Sequence, residues 1–334
     1  MTTLSVKQAL NQALHQLMAA DDTVIVVGED IVGGAGSGSA EELGGAFGVT
    51  SGLAARFGTA RVIDTPISET AFVGMGIGAA ATGLKPIIEV MFCDFMGVCF
   101  DQIMNQAAKM RFLSADQIQL PLVIRTSMGA GDSSGAMHSQ SLHGLLASIA
   151  GLRVVCPSNA ADAAGLLKSA LSDPNPVVLL EHKGLYDLET DIDPALPAVP
   201  IGQGKILIEG AAVTLVTVSA MVHHAVKAAK QLEKDGITVE VIDARSISPL
   251  DSDLITKSVA KTGRLLVVDE GAAFGGFADM VIAEVAQKAF PHLKAAPRKI
   301  TPPHTPVPYA PSLEQNWLPS TPDIIQGVKD LLNA

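Results

Sequence analysis

The chain has 334 residues, of which 48% are hydrophobic and 17% are charged, and its formal net charge is −11. This length predicts two domains of ordinary size, and an acidic chain without a basic stripe argues against nucleic-acid binding. Three cysteines without a Cys-x-x-Cys pair argue against a disulfide framework and against a thiolate zinc site. The mean hydropathy of +0.35 predicts extensive subunit contacts.

The chain shows no sign of a secretion signal or of a membrane span. Its first residues lack a basic stretch followed by an apolar one, and the apolar stretch 71–91 is interrupted by Lys85, Pro86 and Glu89. We therefore expect a cytoplasmic protein with no membrane partner.

The first half of the chain alternates between strand and helix patterns. Ser5 and Gln8 predict a capping box for a helix with an apolar stripe, and residues 23–28 predict a buried parallel strand. The Gly-, Ser- and Ala-rich segment 33–52 predicts a mobile loop at the edge of a site or interface. This alternation favours a doubly wound parallel α/β sheet. Further strands are predicted at 61–64, 85–91, 120–126, 152–156 and 177–181, and helices at 71–82, 97–112, 140–149 and 160–171.

The second half repeats the α/β rhythm after a proline-rich stretch. Pro194, Pro197 and Pro200 predict an interdomain linker, because prolines so closely spaced stop regular elements. The predicted organisation is a first domain over 1–187, a linker over 188–203 and a second domain over 204–334. Strands are predicted at 212–218, 238–242 and 264–268, and helices at 221–234, 251–261 and 278–290, with a last helix capped by Thr321.

Glu69 lies between a predicted strand and a long apolar, glycine-rich segment. A carboxylate at a helix start can pair with free backbone N–H groups. Alternatively, a carboxyl group among apolar neighbours can retain a proton for chemistry. The residues themselves leave both interpretations open.

Two glycine motifs are compatible with other functions. Gly74-x-Gly76-x-x-Ala79 matches a dinucleotide-binding fingerprint, but no strand directly precedes it, so close helix packing explains it better. Residues 131–135 have the spacing of a nucleophile elbow around Ser133. With Asp269 and His304 downstream, a serine hydrolase is an alternative function.

His138 follows a predicted strand and precedes a predicted helix, a position where parallel sheets bind ligands. A histidine there can transfer protons near neutral pH, or can be satisfied by neighbouring hydroxyl groups. Met91, Phe92 and Phe95 follow another strand at the same predicted edge. They fit either core packing or the support of a bound ring.

Several segments together resemble the β subunits of thiamine-diphosphate-dependent 2-oxo acid and acetoin dehydrogenase components. The resemblance implies a pyrimidine-binding transketolase-like domain over 1–187 and a transketolase C-terminal domain over 204–334. The matching segments are Gly28-Glu29-Asp30, residues 64–69, 91–95 and 100–103, His138-Ser139-Gln140-Ser141, residues 151–158 and 245–251, and Asp269-Glu270.

The resemblance assigns roles to particular residues. It implies that Glu69 hydrogen-bonds the aminopyrimidine ring of thiamine diphosphate and that Ile67, Met91 and Phe95 line that pocket. It implies that His138 serves proton or acyl transfer. It further places a monovalent cation such as K⁺ at four positions. These positions are Leu122, Ala170, Asp173 and Asn175.

The resemblance also implies partners. The sequence lacks the Gly-Asp-Gly motif through which the family binds the cofactor diphosphate and Mg²⁺. An α subunit would supply that motif in a heterotetramer of two α and two β chains, and a dihydrolipoyl acyltransferase core would accept the product. The runs 33–48, 137–144 and 303–309 look most like the acetoin-cleaving branch. The alternatives are a pyruvate or branched-chain 2-oxo acid dehydrogenase and a binding or structural subunit without catalytic residues.

Overall fold

The computed structural model describes residues 1–32 and 44–334, and its chain divides into two compact units. Unit 1 comprises Met1–Met128 and Leu146–Ile201, and unit 2 comprises Gly129–Leu145 and Gly202–Ala334. The boundaries 1–187, 188–203 and 204–334 stay a prediction. Residues 33–43 of the predicted loop lie outside the described residues.

Unit 1 is built on a parallel sheet with the spatial order β6–β7–β5–β4–β2–β3. Its described strands are β1 (Thr2–Ser5), β2 (Val24–Gly28), β3 (Val62–Asp64), β4 (Lys85–Phe92), β5 (Val123–Met128), β6 (Arg153–Val155), β7 (Val177–His182) and β8 (Glu189–Ile192). Strands β2, β5 and β7 are buried at every position, as parallel strands covered on both faces should be. The predicted parallel α/β fold is confirmed for this unit.

The helices of unit 1 follow most of the predicted positions. They are α1 (Val6–Ala20), α2 (Leu53–Phe57), α3 (Glu69–Ala81), α4 (Ala108–Leu113) and α6 (Ala160–Ser172), and α5 (His143–Ala147) includes the chain's passage from unit 2. The capping box of Ser5 and Gln8 is present at the start of α1. A Cβ on Gly76 would lie 2.4 Å from Ile88 Cδ1, so this glycine permits close packing of α3 on β4. Close packing, not nucleotide binding, therefore accounts for the glycine motif in α3.

Two predicted elements of unit 1 differ from the structure. The helix expected over 97–112 is helical over residues 100–113, but it follows a 3₁₀ turn at Cys93–Gly97 and contains a π-helical turn at Gln102–Ala107 before α4. Side-chain periodicity over six residues does not separate 3.6-residue turns from wider ones, so the sequence did not predict the π-helical turn. Residues 189–192 of the predicted linker form β8, which pairs antiparallel with β1.

Unit 2 contains a five-stranded sheet with the order β14–β13–β10–β11–β9, in which β9 alone is antiparallel among the described strands. Helix α7 occupies the predicted range, and the last helix is capped by Ser320 instead of Thr321. The elements are β9 (Lys205–Ile208), β10 (Val213–Thr217), α7 (Met221–Lys234), β11 (Val239–Asp243), β12 (Ser246–Ser248), α8 (Ser252–Thr262), β13 (Leu265–Val268), α9 (Phe277–Lys288), β14 (Arg298–Ile300), α10 (Pro311–Trp317) and α11 (Thr321–Leu332).

A buried charge network crosses the middle of the unit 1 sheet. Arg125 of β5 donates from Nε and Nη2 to both carboxylate oxygens of Glu181, at 2.7 and 2.8 Å, and from Nη1 to Glu89 at 2.7 Å. Tyr186 donates its hydroxyl to Glu181 at 2.9 Å. Burial disfavours the guanidinium charge, but Glu181 and then Glu89 outweigh it and raise the pKa of Arg125. The network therefore depends on this one cation.

We predict that Arg125→Met strongly destabilises the protein, because it leaves Glu89 and Glu181 without their cation. Removing one partner of a buried ion pair costs about 3–5 kcal/mol of the free energy of unfolding. The exposed Arg298, which pairs with Asp330, provides the matched control Arg298→Met. Thermal melting should show a large drop for the first variant and little change for the control; equal shifts would contradict the prediction.

Candidate functional site

Glu69 is the first residue of α3, and its side chain is buried. The residue before it, Ser68, makes no capping bond with its side chain. Thr70 donates its hydroxyl to the carbonyl oxygen of Val98 at 2.7 Å, which ties the start of α3 to the chain beyond the 3₁₀ turn. The structure thus places Glu69 next to the segment that follows β4.

The carboxyl ends of neighbouring strands are joined at this edge of unit 1. The Thr65 N–H donates to the carbonyl oxygen of Gly28 at 3.0 Å, which ties the end of β3 to the end of β2. The Ile31 N–H donates to Asp64 Oδ1 at 2.9 Å. Residues that follow β2, β3 and β4 therefore share one edge, as ligand-binding residues of parallel sheets do.

Glu29 lies directly after β2 and is a functional candidate to which no role was assigned from the sequence. It is buried, and its Oε1 has no hydrogen-bond partner within residues 1–32 and 44–334. Burial and then the charge of Glu69 raise the pKa of Glu29, while the Ser68 N–H acts in the opposite direction. Glu29 therefore keeps its proton to a higher pH than an ordinary glutamate does. Its position directly after a predicted strand was the available signal.

The apolar residues predicted to line the pocket lie just before α3, in β4 and in the turn that follows β4. Ile67 precedes α3 and is 85% exposed, an unusual state for an isoleucine beside a buried acid. Met91 belongs to β4 and is half-buried. Phe95, also half-buried, packs edge-on against Phe92 with ring centroids 5.4 Å apart. The structure assigns Glu69, Ile67, Met91 and Phe95 to the same unit and to adjoining segments.

His138 belongs to unit 2, on a loop over residues 129–142 that is held by two carboxylates. The Ala130 N–H donates to Glu270 at 2.6 Å. The N–H groups of Gly131 and Ser133 donate to the two oxygens of Glu314, at 2.8 and 2.9 Å. His138 itself is half-buried. The loop is thus fixed at its start by charge-assisted hydrogen bonds.

A cavity of about 490 Å³ lies beside this loop in unit 2. Its wall includes Gln140, Ser141 and Leu142 of the loop, and Glu270 and Gly271 after β13. The remainder of the wall comes mainly from residues 302–307, which include three prolines. A cavity of this size can hold a small organic molecule.

The serine-hydrolase alternative is wrong because its three residues do not form a triad. The hydroxyl of Ser133 lies 3.3 Å from a carboxylate oxygen of Glu314. Asp269 is bound to His143 at 2.9 Å and not to His304, whose ring packs edge-on against Phe274. Among the residues that the structure describes, no histidine base is hydrogen-bonded to Ser133, and the spacing of the glycines was coincidental.

The four residues predicted to hold a monovalent cation gather at one corner of unit 1. The carbonyl oxygen of Ala170 accepts from the Asp173 N–H, and that of Leu122 accepts from Val177. The side-chain oxygens already face cations: Asp173 pairs with Arg153 at 2.6 Å. Asn175 Oδ1 accepts from Arg111 at 2.8 Å. A bound K⁺ would compete with two guanidinium groups, and the site stays a prediction.

The described residues offer neither a cluster of metal-ligating side chains nor a helix that could span a membrane. The part of the chain that the structure describes contains no group of three or more His, Cys, Asp or Glu side chains that suits a metal ion. Among its helices, none is both long enough and apolar enough to cross a membrane.

Two family models cover nearly the whole chain. Residues 2–189 match the transketolase pyrimidine-binding domain, and residues 202–324 match the transketolase C-terminal domain. The chain belongs to the transketolase family. More narrowly, it belongs among the β subunits of its thiamine-diphosphate-dependent 2-oxo acid dehydrogenase type.

Relatives with curated names extend over almost the full length. The chain is 50% identical over 332 residues to the β subunit of acetoin:2,6-dichlorophenolindophenol oxidoreductase from Cupriavidus necator, covering 99% of this chain and 98% of the relative. The Bacillus subtilis protein of the same name is 44% identical, with 98% and 97% covered. The pyruvate dehydrogenase E1 β subunit of Rickettsia conorii is 42% identical, again with 98% and 97% covered.

A solved structure has the same fold. A split-gene transketolase, described as an inactive β4 tetramer, superposes with a TM-score of 0.79 over 99% of both chains at 22% identity. This likeness confirms the predicted fold class of two transketolase-like α/β domains.

The residues of unit 1 fit the pyrimidine end of thiamine diphosphate, the cofactor of this family. Glu69 and the partnerless oxygen of Glu29 offer buried carboxyl groups for a heterocyclic nitrogen, and Ile67 offers exposed apolar surface for a ring. Heterocycles bind in such sites through a few polar groups and apolar walls. No Gly-Asp-Gly motif for the diphosphate end occurs in the sequence.

We predict that Glu29→Gln stabilises the protein at neutral pH but not in acid. A carboxyl group whose pKa is higher in the folded than in the unfolded chain stabilises the folded state fully at a pH below its unfolded pKa of about 4.3. This stabilisation is lost as the pH rises through the folded-state pKa. Glutamine removes this loss because it does not ionise. Thermal melting against pH should show a gap that opens above about pH 5. The exposed Glu233→Gln provides the control, and a gap that widens toward acid would contradict the prediction.

Proposed function

We propose that the chain is the β subunit of an acetoin dehydrogenase, which cleaves acetoin to acetaldehyde and passes the acetyl unit to a lipoyl group. The observation that supports this most strongly is the buried pair of Glu69 and Glu29 beside an exposed apolar residue, Ile67. The names of the relatives from Cupriavidus necator and Bacillus subtilis support acetoin as the substrate.

Glu69 is proposed to hold a proton at its carboxyl group against a nitrogen of the pyrimidine ring. Ile67, Met91 and Phe95 position that ring and exclude water from it. When bound, thiamine diphosphate would supply a carbanion nucleophile for the substrate carbonyl. Glu29 supports this arrangement, since burial and then the charge of Glu69 raise the pKa of Glu29.

His138 is proposed to hold and move a proton at the substrate or at the lipoyl acceptor. A histidine suits this task because its ordinary pKa lies near neutral pH. The loop's bonds to Glu270 and Glu314 restrict its movement, and positioned groups transfer protons more effectively than mobile ones.

The diphosphate end of the cofactor needs another chain. We propose that an α subunit provides the Gly-Asp-Gly site and Mg²⁺ in a heterotetramer of two α and two β chains. A dihydrolipoyl acyltransferase core would take the acetyl unit. K⁺ at the four predicted positions, Leu122, Ala170, Asp173 and Asn175, remains part of the proposal. An anionic diphosphate requires a metal or cations, and the carboxyl groups of this site repel it.

The charges near the substrate favour acetoin over an anionic 2-oxo acid. Residues 127–137 contain Asp132 and no lysine or arginine. Arg125, the nearest arginine in sequence, is bound by Glu89 and Glu181 and offers no free charge to a substrate carboxylate. Neutral acetoin requires no such cation. Pyruvate is the second candidate because of the Rickettsia relative.

We predict that Glu69→Gln lowers turnover about 10²–10⁴-fold, the contribution of a positioned proton donor. Glutamine keeps the size and polarity of the side chain, so assembly with the α subunit should persist. Steady-state turnover and size-exclusion chromatography measure the two properties. Glu233→Gln is the control, and full activity of Glu69→Gln would favour a structural subunit instead.

We predict that the reconstituted α/β complex turns over acetoin faster than pyruvate. Dye reduction with each substrate in turn measures this ratio with no acyltransferase present. Controls lacking thiamine diphosphate should show no turnover of either substrate. A higher kcat/KM for pyruvate would assign the chain to the pyruvate dehydrogenases.

A further inference from the structure

A histidine–aspartate pair is buried in unit 2 and has no assigned role. His143 and Asp269 are 1% and 0% exposed, and His143 Nε2 lies 2.9 Å from Asp269 Oδ1. The other polar atoms, His143 Nδ1 and Asp269 Oδ2, have no hydrogen-bond partner among the described residues. The contact between them is therefore the one side-chain hydrogen bond that either residue makes there.

Electrostatics favours a charged pair. Burial disfavours the imidazolium, but the charge of Asp269, its hydrogen bond and the charge of Glu270 outweigh burial and raise the pKa of His143. Phe277 packs edge-on against the imidazole at 6.1 Å and brings no charge. Removing either residue would leave the polar group of the other buried without its hydrogen-bond partner.

The pair lies at the far end of the loop that carries His138. His143 is the first residue of α5, five residues after His138, and Asp269 follows β13. The adjacent Glu270 accepts from the Ala130 N–H at the start of the loop and lies 3.4 Å from the Ser141 hydroxyl near its end. Asp269 and Glu270, which follow β13, therefore hold both ends of the loop by hydrogen bonds.

Close backbone packing reinforces this attachment. A Cβ on Gly144 would lie 2.9 Å from Gly276 Cα and from the Phe277 nitrogen, so the start of α5 lies against the start of α9. A Cβ on Gly271 would lie 2.8 Å from Asp269 Oδ2 and 2.9 Å from His143 Cε1. Glycine at 271 thus leaves room for the pair.

We propose that the His143–Asp269 pair positions His138 for proton transfer by fixing the end of its loop to β13. His143 is a positioning residue, since it acts through the loop and not on the substrate. The proposal rests on the role given to His138 above. It goes beyond that role by identifying which contact holds the loop in place.

A double-mutant cycle in the reconstituted α/β complex tests the proposal. His143→Gln should lower kcat about tenfold or more while His138 is present, since small displacements of a positioned group are costly. In the His138→Ala background the same change should cost less than about twofold, because the group being positioned is gone. The KM for substrate should change little, and the exposed His223→Gln is the matched control.

The outcomes separate positioning from other roles. An equal loss in both backgrounds would overturn the proposal, because the pair would then act independently of His138. Unchanged kcat with His138 present would overturn it as well. Wild-type turnover of acetoin tests the proposed function separately, and the cycle uses acetoin or pyruvate, whichever the wild type consumes.

A milder variant covers the case in which His143→Gln does not assemble with the α subunit. Gly271→Ala keeps both charged groups but displaces them, and it enters the same cycle. The expected result is again a loss of kcat that depends on His138. Failure of both variants to assemble would assign the pair to folding and overturn the proposal.

Discussion

A carboxylate buried in a protein must be matched by a cation, by hydrogen-bond donors or by a proton, because the interior solvates its charge poorly. This constraint organises much of the structure. In unit 1, Glu89 and Glu181 are matched by Arg125. In unit 2, Asp269 is matched by His143, and Glu314 is matched by backbone N–H groups. Each match also fixes the segments that carry the partners.

One buried carboxyl group, Glu29 at the edge of the unit 1 sheet, is not fully matched in this way. Glu29 and Glu69 interact with each other, and Glu29 Oε1 has no hydrogen-bond donor in the described chain. Burial and then the charge of Glu69 raise the pKa of Glu29, so a proton or a donor on a ligand would satisfy the one oxygen that lacks a partner. A buried acceptor of this kind suits a binding site, because a ligand that donates to it replaces a cost with a contact.

Local signals in the sequence were sufficient for much of the fold. The Ser5–Gln8 capping box, the apolar strands β2 and β7 and the range of α7 all follow from neighbouring residues. Elements that depend on distant partners were missed. Strand β8 lies in a proline-rich stretch and pairs with residues 2–5, which belong to the other end of unit 1 in the sequence. The π-helical turn at Gln102–Ala107, within the predicted helix 97–112, has no distinct side-chain pattern in the sequence.

In the candidate site, too, features set by neighbouring residues could be predicted and contacts between distant residues could not. Glu69, Ile67, Met91 and Phe95 belong to short segments whose residue types point to the same edge, so the sequence and its family resemblance suggested them. Their roles stay a prediction. The His143–Asp269 pair joins residues 126 positions apart, and no spacing rule connects them. Ser133 illustrates the opposite error, since a familiar spacing was present without the partners that would give it chemistry.

The exposure of Ile67 has a consequence for where its side chain contributes free energy. An 85% exposed isoleucine buries little apolar area when the chain folds, so it adds little to the free energy of folding. A ring or a second chain that covers it gains roughly 25 cal/mol for each Å² of apolar area removed from water. The side chain therefore contributes to binding more than to folding.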